Sequence, residues 1–273
     1  MNAKLFSNIC KKIRQRIIRS LYLAEGGHAG PSLSIVEILA YLYFDRKILS
    51  PKKYEKFVLS KGHAVPALYA ALNLVGKLND KELNSLRKIN SKLQGHPDRK
   101  LIKDIHAGTG ALGQGLSMAI GFAIAERLKN TKKKSFCIIG DGEMQEGQIW
   151  EAAMYAAANK VDNVIATVDY NGRQIDGDVD DVLSLGDLEG KWKAFGWEVI
   201  TEDNGNDMES VINVLNKAKT LTGKGKPVMI LLRTEMGQGV DYMMGTHKWH
   251  GAAPNDEQLV NALGQLEETL GDY

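Results

Sequence analysis

The feature that most constrains the fold is a strand–helix–strand unit spanning residues 138–177. An apolar run ends in GDG (140–142), a helical stretch follows, and a second apolar run ends in DYNG (169–172). Two strands joined by a helix pair in parallel, and ligands of open α/β sheets bind outside the carboxyl ends of such strands. Asp141 and Asn171 each follow one of these strand ends, so we expect them to lie close together.

The chemistry of this pair indicates a cation. Carboxylate and amide oxygens are hard ligands, and Mg²⁺ is commonly bound by one or two carboxylates together with substrate phosphates. The glycines that flank Asp141 allow a phosphate to approach the backbone closely. The pair therefore predicts a site for a metal-bridged diphosphate, although Asn171-Gly172 is also typical of a plain turn. Paired Cys/His spacing for zinc is absent from the sequence.

Five further motifs accompany this unit. In chain order they are GGHAGPSLS (26–34), LSKGHAVPALYAALN (59–73), QGHPD (94–98), GTGALGQGLSMAIG (108–121) and WHGAAPNDEQL (249–259). Together with GDG and an Asn about thirty residues later, they resemble the motifs of the transketolases, which bind thiamine diphosphate, in the order of that family. The resemblance covers nearly the whole chain, and five ordered motifs are far more specific than one.

Alternation of helical and apolar segments extends along the chain. Helical periodicity or small-residue runs predict helices over 4–23, 34–44, 66–75, 80–88, 113–128, 148–158, 208–219 and 256–270. Short apolar runs predict strands over 135–139, 164–168, 197–201 and 228–232. This order predicts an α/β fold, a doubly wound and mostly parallel sheet flanked by helices. By resemblance it is the diphosphate-binding module of the thiamine diphosphate-binding fold, with residues 1–273 forming a single domain.

Composition narrows the classes of partner. The net charge of +2 gives no support for nucleic acid or a membrane surface, and no apolar run reaches the roughly 18 residues of a membrane span. The first 24 residues are basic and contain no acid, as in a transit peptide. Because the family's first helix begins here, we expect a folded amphipathic helix and a cytoplasmic protein. Cys10 and Cys137 are expected to pack in the core.

The resemblance implies a set of cofactor and metal residues. The metal, Mg²⁺ or Ca²⁺ or Mn²⁺ in its place, would be bound by the side chains of Asp141 and Asn171 and by the backbone carbonyl of Arg173. The diphosphate would accept hydrogen bonds from His63, His250 and the N–H of Gly142. Gly110, Ala111 and Leu112 would pack near the aminopyrimidine. The loop 108–113 also satisfies the dinucleotide pattern G-x-G-x-x-G, but a strand before it and an acidic residue about 20 positions later are missing.

The resemblance also implies catalytic residues. His28, His96 and His250 would line the channel of the donor ketose, since histidine donates hydrogen bonds and titrates near neutral pH. Glu146 would bind a glutamate of the partner across the cofactor; its alternative role is a favourable carboxylate at a helix N-terminus. His106 and His247 are expected to be structural or peripheral.

The resemblance finally implies an incomplete enzyme. The glutamate that protonates the cofactor's ring lies on a pyrimidine-binding domain in full-length transketolases, and this chain ends at Tyr273 after the diphosphate-binding domain. We therefore expect the N-terminal subunit of a split transketolase of the pentose phosphate pathway, acting on sugar phosphates. It would be active as α₂β₂ with a separately encoded C-terminal subunit.

Two other functions stay open. One is a subunit of a related thiamine enzyme, resembling deoxyxylulose-phosphate synthase or a 2-oxo acid dehydrogenase α chain. The other is a non-catalytic, regulatory homologue. Departures from the full-length pattern at TEMGQGV (234–240) and NGND (204–207) leave the donor sugar undefined.

Overall fold

The computed structural model describes residues 3–52 and 54–267. Five parallel strands form the main sheet in the order β1-β2-β3-β7-β6, and a two-stranded antiparallel ribbon, β4-β5, lies apart from it. The strands are β1 (Lys56–Leu59), β2 (Ser135–Gly140), β3 (Val164–Tyr170), β4 (Arg173–Gln174), β5 (Gly177–Asp178), β6 (Glu198–Glu202) and β7 (Val228–Arg233).

Helices cover both faces of the sheet. They are α1 (Ala3–Ala24), α2 (Ala29–Leu33), α3 (Val36–Ala40), α4 (Val65–Leu74), α5 (Asp80–Leu83), α6 (Gln114–Leu128), α7 (Gly147–Ala158), α8 (Val179–Leu183), α9 (Leu188–Ala194), α10 (Met208–Leu221) and α11 (Asp256–Gln265). Among the residues described, no helix is long and apolar enough to cross a membrane.

The alternation of side chains along the strands divides the core in two. Phe57, Phe136, Ile165 and Val228 share one register row and pack with α1, α3, α4 and α10. The next row, Val58, Cys137, Ala166 and Met229, faces α6, α7 and α9. Because the central strands are buried on both faces, they are continuously apolar, which is the pattern of a parallel sheet.

The predicted fold class is confirmed, and all four predicted strands are present. The fifth, β1, was not predicted because four residues carry too short a pattern. The helix predicted over 34–44 was wrong as a single element: α2 starts earlier, Ile35 leaves helical geometry, and α3 runs into a π-helical turn at Tyr41–Asp45.

Two other helix boundaries differ from the prediction. The helix predicted over 80–88 ends at Leu83, and Arg87 and Asn90 adopt positive φ angles of 59° and 62°, which a right-handed helix does not allow. The helix predicted over 256–270 runs to Gln265, and residues 268–270 lie outside the described part of the chain.

Close packing at the carboxyl edge brings three loops together. A Cβ atom built on Gly115, near the start of α6, would lie 2.6 Å from the Cα of Ser60, just past β1. Only glycine permits this approach, and α6 therefore sits directly on the end of β1. The loop that leads into α6 is thereby placed beside the loops that follow β1 and β2.

Candidate active site

A cavity of about 230 Å³ lies at the carboxyl ends of β1, β2 and β3. The predicted residues that line it are His63, Leu112, Asp141, Gly142, Glu146, Asn171, Arg173 and His250. Segments that are far apart in the sequence therefore meet at one place. The remaining predicted residues, His28, His96, Gly110 and Ala111, are not part of this lining, although His28 lies next to His63 and His250, which are.

Asp141 stands at the floor of the cavity and is buried. Its Oδ1 accepts a hydrogen bond from the N–H of Gly142 at 2.8 Å, and its Oδ2 accepts one from the N–H of Gly172 at 2.5 Å. Burial, followed by the nearby charge of Asp169, raises the pKa of Asp141 to about 7. A buried carboxylate whose negative charge is so poorly compensated is suited to a cation.

The amide of Asn171 has a defined orientation. Its Nδ2 donates to Oδ2 of Asp169 at 2.8 Å, so its Oδ1 is the end that remains for a ligand. Oδ1 accepts the N–H of Arg173 at 3.0 Å and keeps a second lone pair. Among the described residues, no group of three His, Cys, Asp or Glu side chains could hold a metal alone. A metal here would therefore need phosphate or water oxygens as well.

Asp169 is a buried centre that the sequence did not reveal. It forms an ion pair with the buried ammonium of Lys61, which also donates to the carbonyl of Pro31 at 3.1 Å. The hydroxyl groups of Ser34 and Thr234 donate to its two oxygens at 2.8 and 2.5 Å. Asp169 thus joins the ends of β1, β3 and β7 to the segment that carries His28.

Glu143 is a second buried carboxylate that was not predicted. Its Oε1 accepts hydrogen bonds from the hydroxyl of Ser60 and from the N–H of Gly113 at 2.9 Å, and its Oε2 accepts the N–H of Gly140 at 3.0 Å. Burial is the main cause that raises its pKa, and these donors act in the opposite direction. The only sequence signal was an acidic residue directly after GDG.

Three histidines form a compact triangle beside the cavity, the histidine cluster. The ring centroids of His63 and His250 are 5.2 Å apart, and that of His28 lies 5.0 Å from His63 and 5.8 Å from His250. Burial is the first cause that lowers their pKa values, to about 2 for His63 and about 4 for His28 and His250. All three imidazoles are therefore neutral at pH 7.

The other histidines differ in their surroundings. His96 is exposed, and a Cβ atom on Gly110 would lie 3.1 Å from its Cγ, so its ring packs on that glycine. Burial is also the first cause that lowers the pKa of His96. His106 is buried, and its Nδ1 accepts the N–H of Phe57 at 3.0 Å, which is a structural contact at the start of β1.

The site fits a diphosphate and a divalent metal. The Nδ1 atoms of His28 and His250 are buried and have no hydrogen-bond partner among the described residues. Buried polar atoms are normally satisfied, so these two atoms indicate a missing ligand. The oxygens of Asp141 and Asn171 supply the donor set of a hard cation. These features suit a diphosphate and a divalent cation at the carboxyl edge of an α/β sheet.

Comparison with known proteins gives the family. Residues 6–268 match the family described as "Transketolase, thiamine diphosphate binding domain". The chain belongs to the transketolase family and carries its thiamine diphosphate-binding domain. It is one subunit of a transketolase, which uses thiamine diphosphate to transfer a two-carbon ketol unit. The resemblance found in the sequence is thereby confirmed.

Two curated relatives match over nearly their whole length. One is an apulose-4-phosphate transketolase subunit of Phocaeicola vulgatus, 38% identical over 265 residues, which cover 95% of this chain and 93% of the relative. The other is "6-deoxy-6-sulfo-D-fructose transketolase subunit SqwG" of Clostridium sp., 41% identical over 262 residues, with 92% and 94% covered.

Solved structures show the same fold. The transketolase of Campylobacter jejuni superposes with a TM-score of 0.89 at 31% identity, covering 97% of this chain and 43% of that one. The transketolase of Leishmania mexicana gives a TM-score of 0.85 at 27% identity, covering 97% and 41%. The chain thus spans about two fifths of these longer enzymes.

Proposed function

We propose that this chain is the diphosphate-binding subunit of a two-chain, Mg²⁺-dependent transketolase that acts on sugar phosphates. The observation that carries the proposal is the cavity in which Asp141 and Asn171 lie beside a cluster of neutral histidines, two of which have a buried nitrogen with no partner among the described residues. The chain forms one domain in this proposal, and the pyrimidine-binding and C-terminal domains belong to the partner.

Each part of the cavity has a role in holding the cofactor. Asp141, Asn171 and the carbonyl of Arg173 would bind Mg²⁺, or Ca²⁺ or Mn²⁺ in its place. His63, His250 and the N–H of Gly142 would donate to the diphosphate, and residues 110–112 would lie against the aminopyrimidine. When bound, thiamine diphosphate supplies the nucleophilic carbon and the electron sink for carbon–carbon cleavage.

The histidine cluster binds the sugar in this proposal. Because burial keeps His28 and His250 neutral, each imidazole has one N–H that donates and one nitrogen that accepts. Such a ring can bind a substrate hydroxyl and hold its proton during transfer. His28 and His96 would line the channel, and His250 would serve both the sugar and the diphosphate.

A separate C-terminal subunit would close the cavity. Leu112, Ile175 and Leu183 are 38%, 59% and 57% exposed, and Leu112 and Ile175 belong to the cavity wall itself. Exposed apolar side chains at an open site are typical of a surface that a partner covers. Glu146 is exposed at the start of α7 on the same rim, where a partner's carboxyl group would meet it. The assembly would be α₂β₂.

The names of the two relatives point to ketoses with an anionic end, a phosphate in one and a sulfonate in the other. The resemblance found in the sequence leads us to start from sugars of the pentose phosphate pathway, which also carry a terminal phosphate. The test measures ketol transfer from xylulose 5-phosphate to ribose 5-phosphate with Mg²⁺ and thiamine diphosphate. The chain is assayed alone and after mixing with the candidate C-terminal subunit.

Activity in the mixture and not in either chain alone is the expected result. No transfer with any phosphorylated ketose, although the mixture forms a complex and binds cofactor, would contradict the catalytic role and favour a regulatory one. His28→Ala should retain cofactor affinity and lose turnover on ketose phosphate. His247 lies outside the histidine cluster, so His247→Ala serves as the matched control and should behave as the unsubstituted protein.

A further inference from the structure

The short helix α2, which begins directly after His28, is held in place from outside. It has only five residues, far fewer than a helix needs to be stable alone, and the carbonyls at its end require partners. Polar groups from distant segments supply these partners: Nζ of Lys61 donates to Pro31 at 3.1 Å, the N–H of Gly237 to Gly30 at 3.2 Å, Nη2 of Arg14 to Leu33 at 3.4 Å and Nδ2 of Asn206 to Ser34 at 3.0 Å. The position of α2 therefore depends on side chains that lie elsewhere in the sequence.

One of these side chains, Arg14 of α1, forms a buried ion pair with Glu37 of α3. Its Nη1 and Nη2 atoms lie 2.8 and 3.0 Å from the two carboxylate oxygens of Glu37. Its Nε donates to the carbonyl of Gln238, in the loop after β7, at 2.8 Å. Because a guanidinium is a rigid planar fork, these contacts fix α3, the end of α2 and the loop after β7 relative to α1.

Asn206 joins the two segments that depart from the full-length pattern. Its Nδ2 donates to the carbonyl of Ser34 and to Oε2 of Glu37, both at 3.0 Å. Its Oδ1 accepts the N–H of Glu235 at 2.7 Å. Asn206 belongs to the NGND segment and Glu235 to the TEMGQGV segment. The two departures therefore meet in the folded chain, and both contact the residues that end α2.

The same contacts bear on His28, which stands at the other end of α2. The carbonyl of His28 accepts the hydroxyl of Ser32 at 2.6 Å, so His28 is tied to the helix. Five helical residues span only about 7.5 Å, and a shift at Ser34 is therefore transmitted to His28. The ring of His28 packs against those of His63 and His250, so its position decides the shape of the histidine cluster.

We propose that Arg14 and Asn206 are positioning residues that fix α2 and thereby hold the imidazole of His28 in the histidine cluster. Their role rests on the proposed binding of the sugar by His28. In the described part of the chain, the residues that line the cavity include neither Arg14 nor Asn206, so both act through His28. Loss of their hydrogen bonds lets α2 shift, and a small misplacement of a group that binds the reacting sugar lowers the rate.

The test is a double-mutant cycle in the complete two-chain enzyme, with Asn206→Ala, His28→Ala and the double variant assayed on xylulose 5-phosphate. Asn206→Ala removes the amide but leaves Glu37 paired with Arg14. We expect kcat to fall about tenfold while the affinity for thiamine diphosphate is unchanged. Added to His28→Ala, the same substitution should not lower the residual turnover further, because the group that it positions is gone. An equal loss in both backgrounds would overturn the inference.

A second measurement follows His28 itself in the full chain and does not depend on turnover. Burial is the first cause that lowers the pKa of His28 to about 4, so a displaced ring should be more exposed and its pKa should rise toward 6.5. NMR titration of the histidine ring protons between pH 7 and 5 measures this change. His28 should stay neutral in the unsubstituted protein and titrate in Asn206→Ala. The same His28 titration in both proteins would contradict the positioning role.

Two further variants complete the experiment. Arg14→Lys keeps a charge opposite Glu37 but loses the fork, so it should show part of the same loss, and it replaces Asn206→Ala in both measurements if that variant does not fold. Asn216→Ala removes a comparable amide, which accepts the hydroxyl of Tyr41 at 3.0 Å on α10, and should leave turnover and the His28 titration unchanged. If the unsubstituted two-chain enzyme transfers no ketol unit, the proposed function fails, whereas the NMR titration still tests the position of His28.

Discussion

Two groups of buried polar side chains at the sheet edge differ in how far they are satisfied. The carboxylates of Glu143 and Asp169 accept hydrogen bonds from three or more donors each, and Asp169 also has a cationic partner. The histidine cluster beside them leaves the buried Nδ1 atoms of His28 and His250 without a partner among the described residues. A satisfied group stabilises the fold, whereas an unsatisfied one is a cost that a ligand can remove. The carboxylates of Glu143 and Asp169 therefore stabilise the fold, whereas the histidines have nitrogen atoms that a ligand can satisfy.

The largest effect is expected when the carboxylate of Asp169 is removed. Asp169→Ala leaves the ammonium of Lys61 buried without its partner, which should cost about 3–5 kcal/mol in the free energy of unfolding. Denaturant unfolding measures the loss. The double variant Lys61→Met with Asp169→Leu removes both charges and should recover most of it. A double variant as unstable as the single one would show that the ion pair is not the cause.

Substitution of Glu143, the second of these carboxylates, should have a smaller effect on stability. Glu143→Gln keeps the shape but turns an amide NH₂ toward at least one existing donor, since Ser60, Gly113 and Gly140 all donate to the carboxylate. We expect a loss of about 1–3 kcal/mol in the free energy of unfolding. Glu189→Gln makes the same change in α9, where the carboxylate pairs with the exposed Lys193, and should cost much less stability than Glu143→Gln. Equal losses of unfolding free energy in the two variants would show that the hydrogen bonds of Glu143 do not stabilise the fold.

The histidine cluster predicts that the free energy of unfolding depends on pH, because the pKa values of its three imidazoles are lowered in the folded state. The folded-state pKa values of about 2 for His63 and about 4 for His28 and His250 lie below the 6.5 of an unfolded histidine. Between pH 4 and 6.5 the unfolded chain therefore binds more protons, so stability falls as the pH falls through this range. His63→Gln should make this fall less steep in urea unfolding at pH 7, 6 and 5. An unchanged slope would mean that His63 titrates normally.

The smallest expected effect concerns Arg173. Its guanidinium contacts Asp178 at 2.6 Å on the surface, and its proposed role as a ligand uses only the backbone carbonyl. Arg173→Ala should therefore cost about 0.2–1 kcal/mol in the free energy of unfolding and leave cofactor affinity unchanged. Isothermal titration with thiamine diphosphate checks the second point. Lost affinity would assign the side chain a direct role.

The fold class and the meeting of the motif residues at one place were predicted from the sequence, because the signals for both lie in short, continuous stretches of the chain. Strands β2, β3 and β7 are long, continuously apolar runs, and GDG and DYNG mark the ends of two of them. Strand β1 has only four residues, so its pattern was too short to recognise. Its end carries Lys61, whose partner Asp169 is 108 positions away.

The roles of Glu143 and Asp169 were not predicted, for a different reason. Two of the three donors to Glu143 are backbone N–H groups, of Gly113 and Gly140, and no residue type encodes such a donor. Asp169 was visible at the end of β3, but its contacts come from segments at 34, 61 and 234 that only the folded chain unites. Motif spacing locates residues that meet a ligand more readily than residues that hold those in place.

The most direct test of the central claim is the affinity for thiamine diphosphate of the two-chain enzyme and of its Asp141→Ala variant, each measured with Mg²⁺ and with a chelator. Asp141 lies at the cavity floor, and within the described part of the chain its carboxylate accepts hydrogen bonds only from the loop N–H groups of Gly142 and Gly172, so its removal should leave the sheet intact. We predict Mg²⁺-dependent binding that the variant loses while it keeps its fold by circular dichroism. Unchanged, metal-independent affinity in a folded variant would contradict the assignment of this cavity as the diphosphate and metal site.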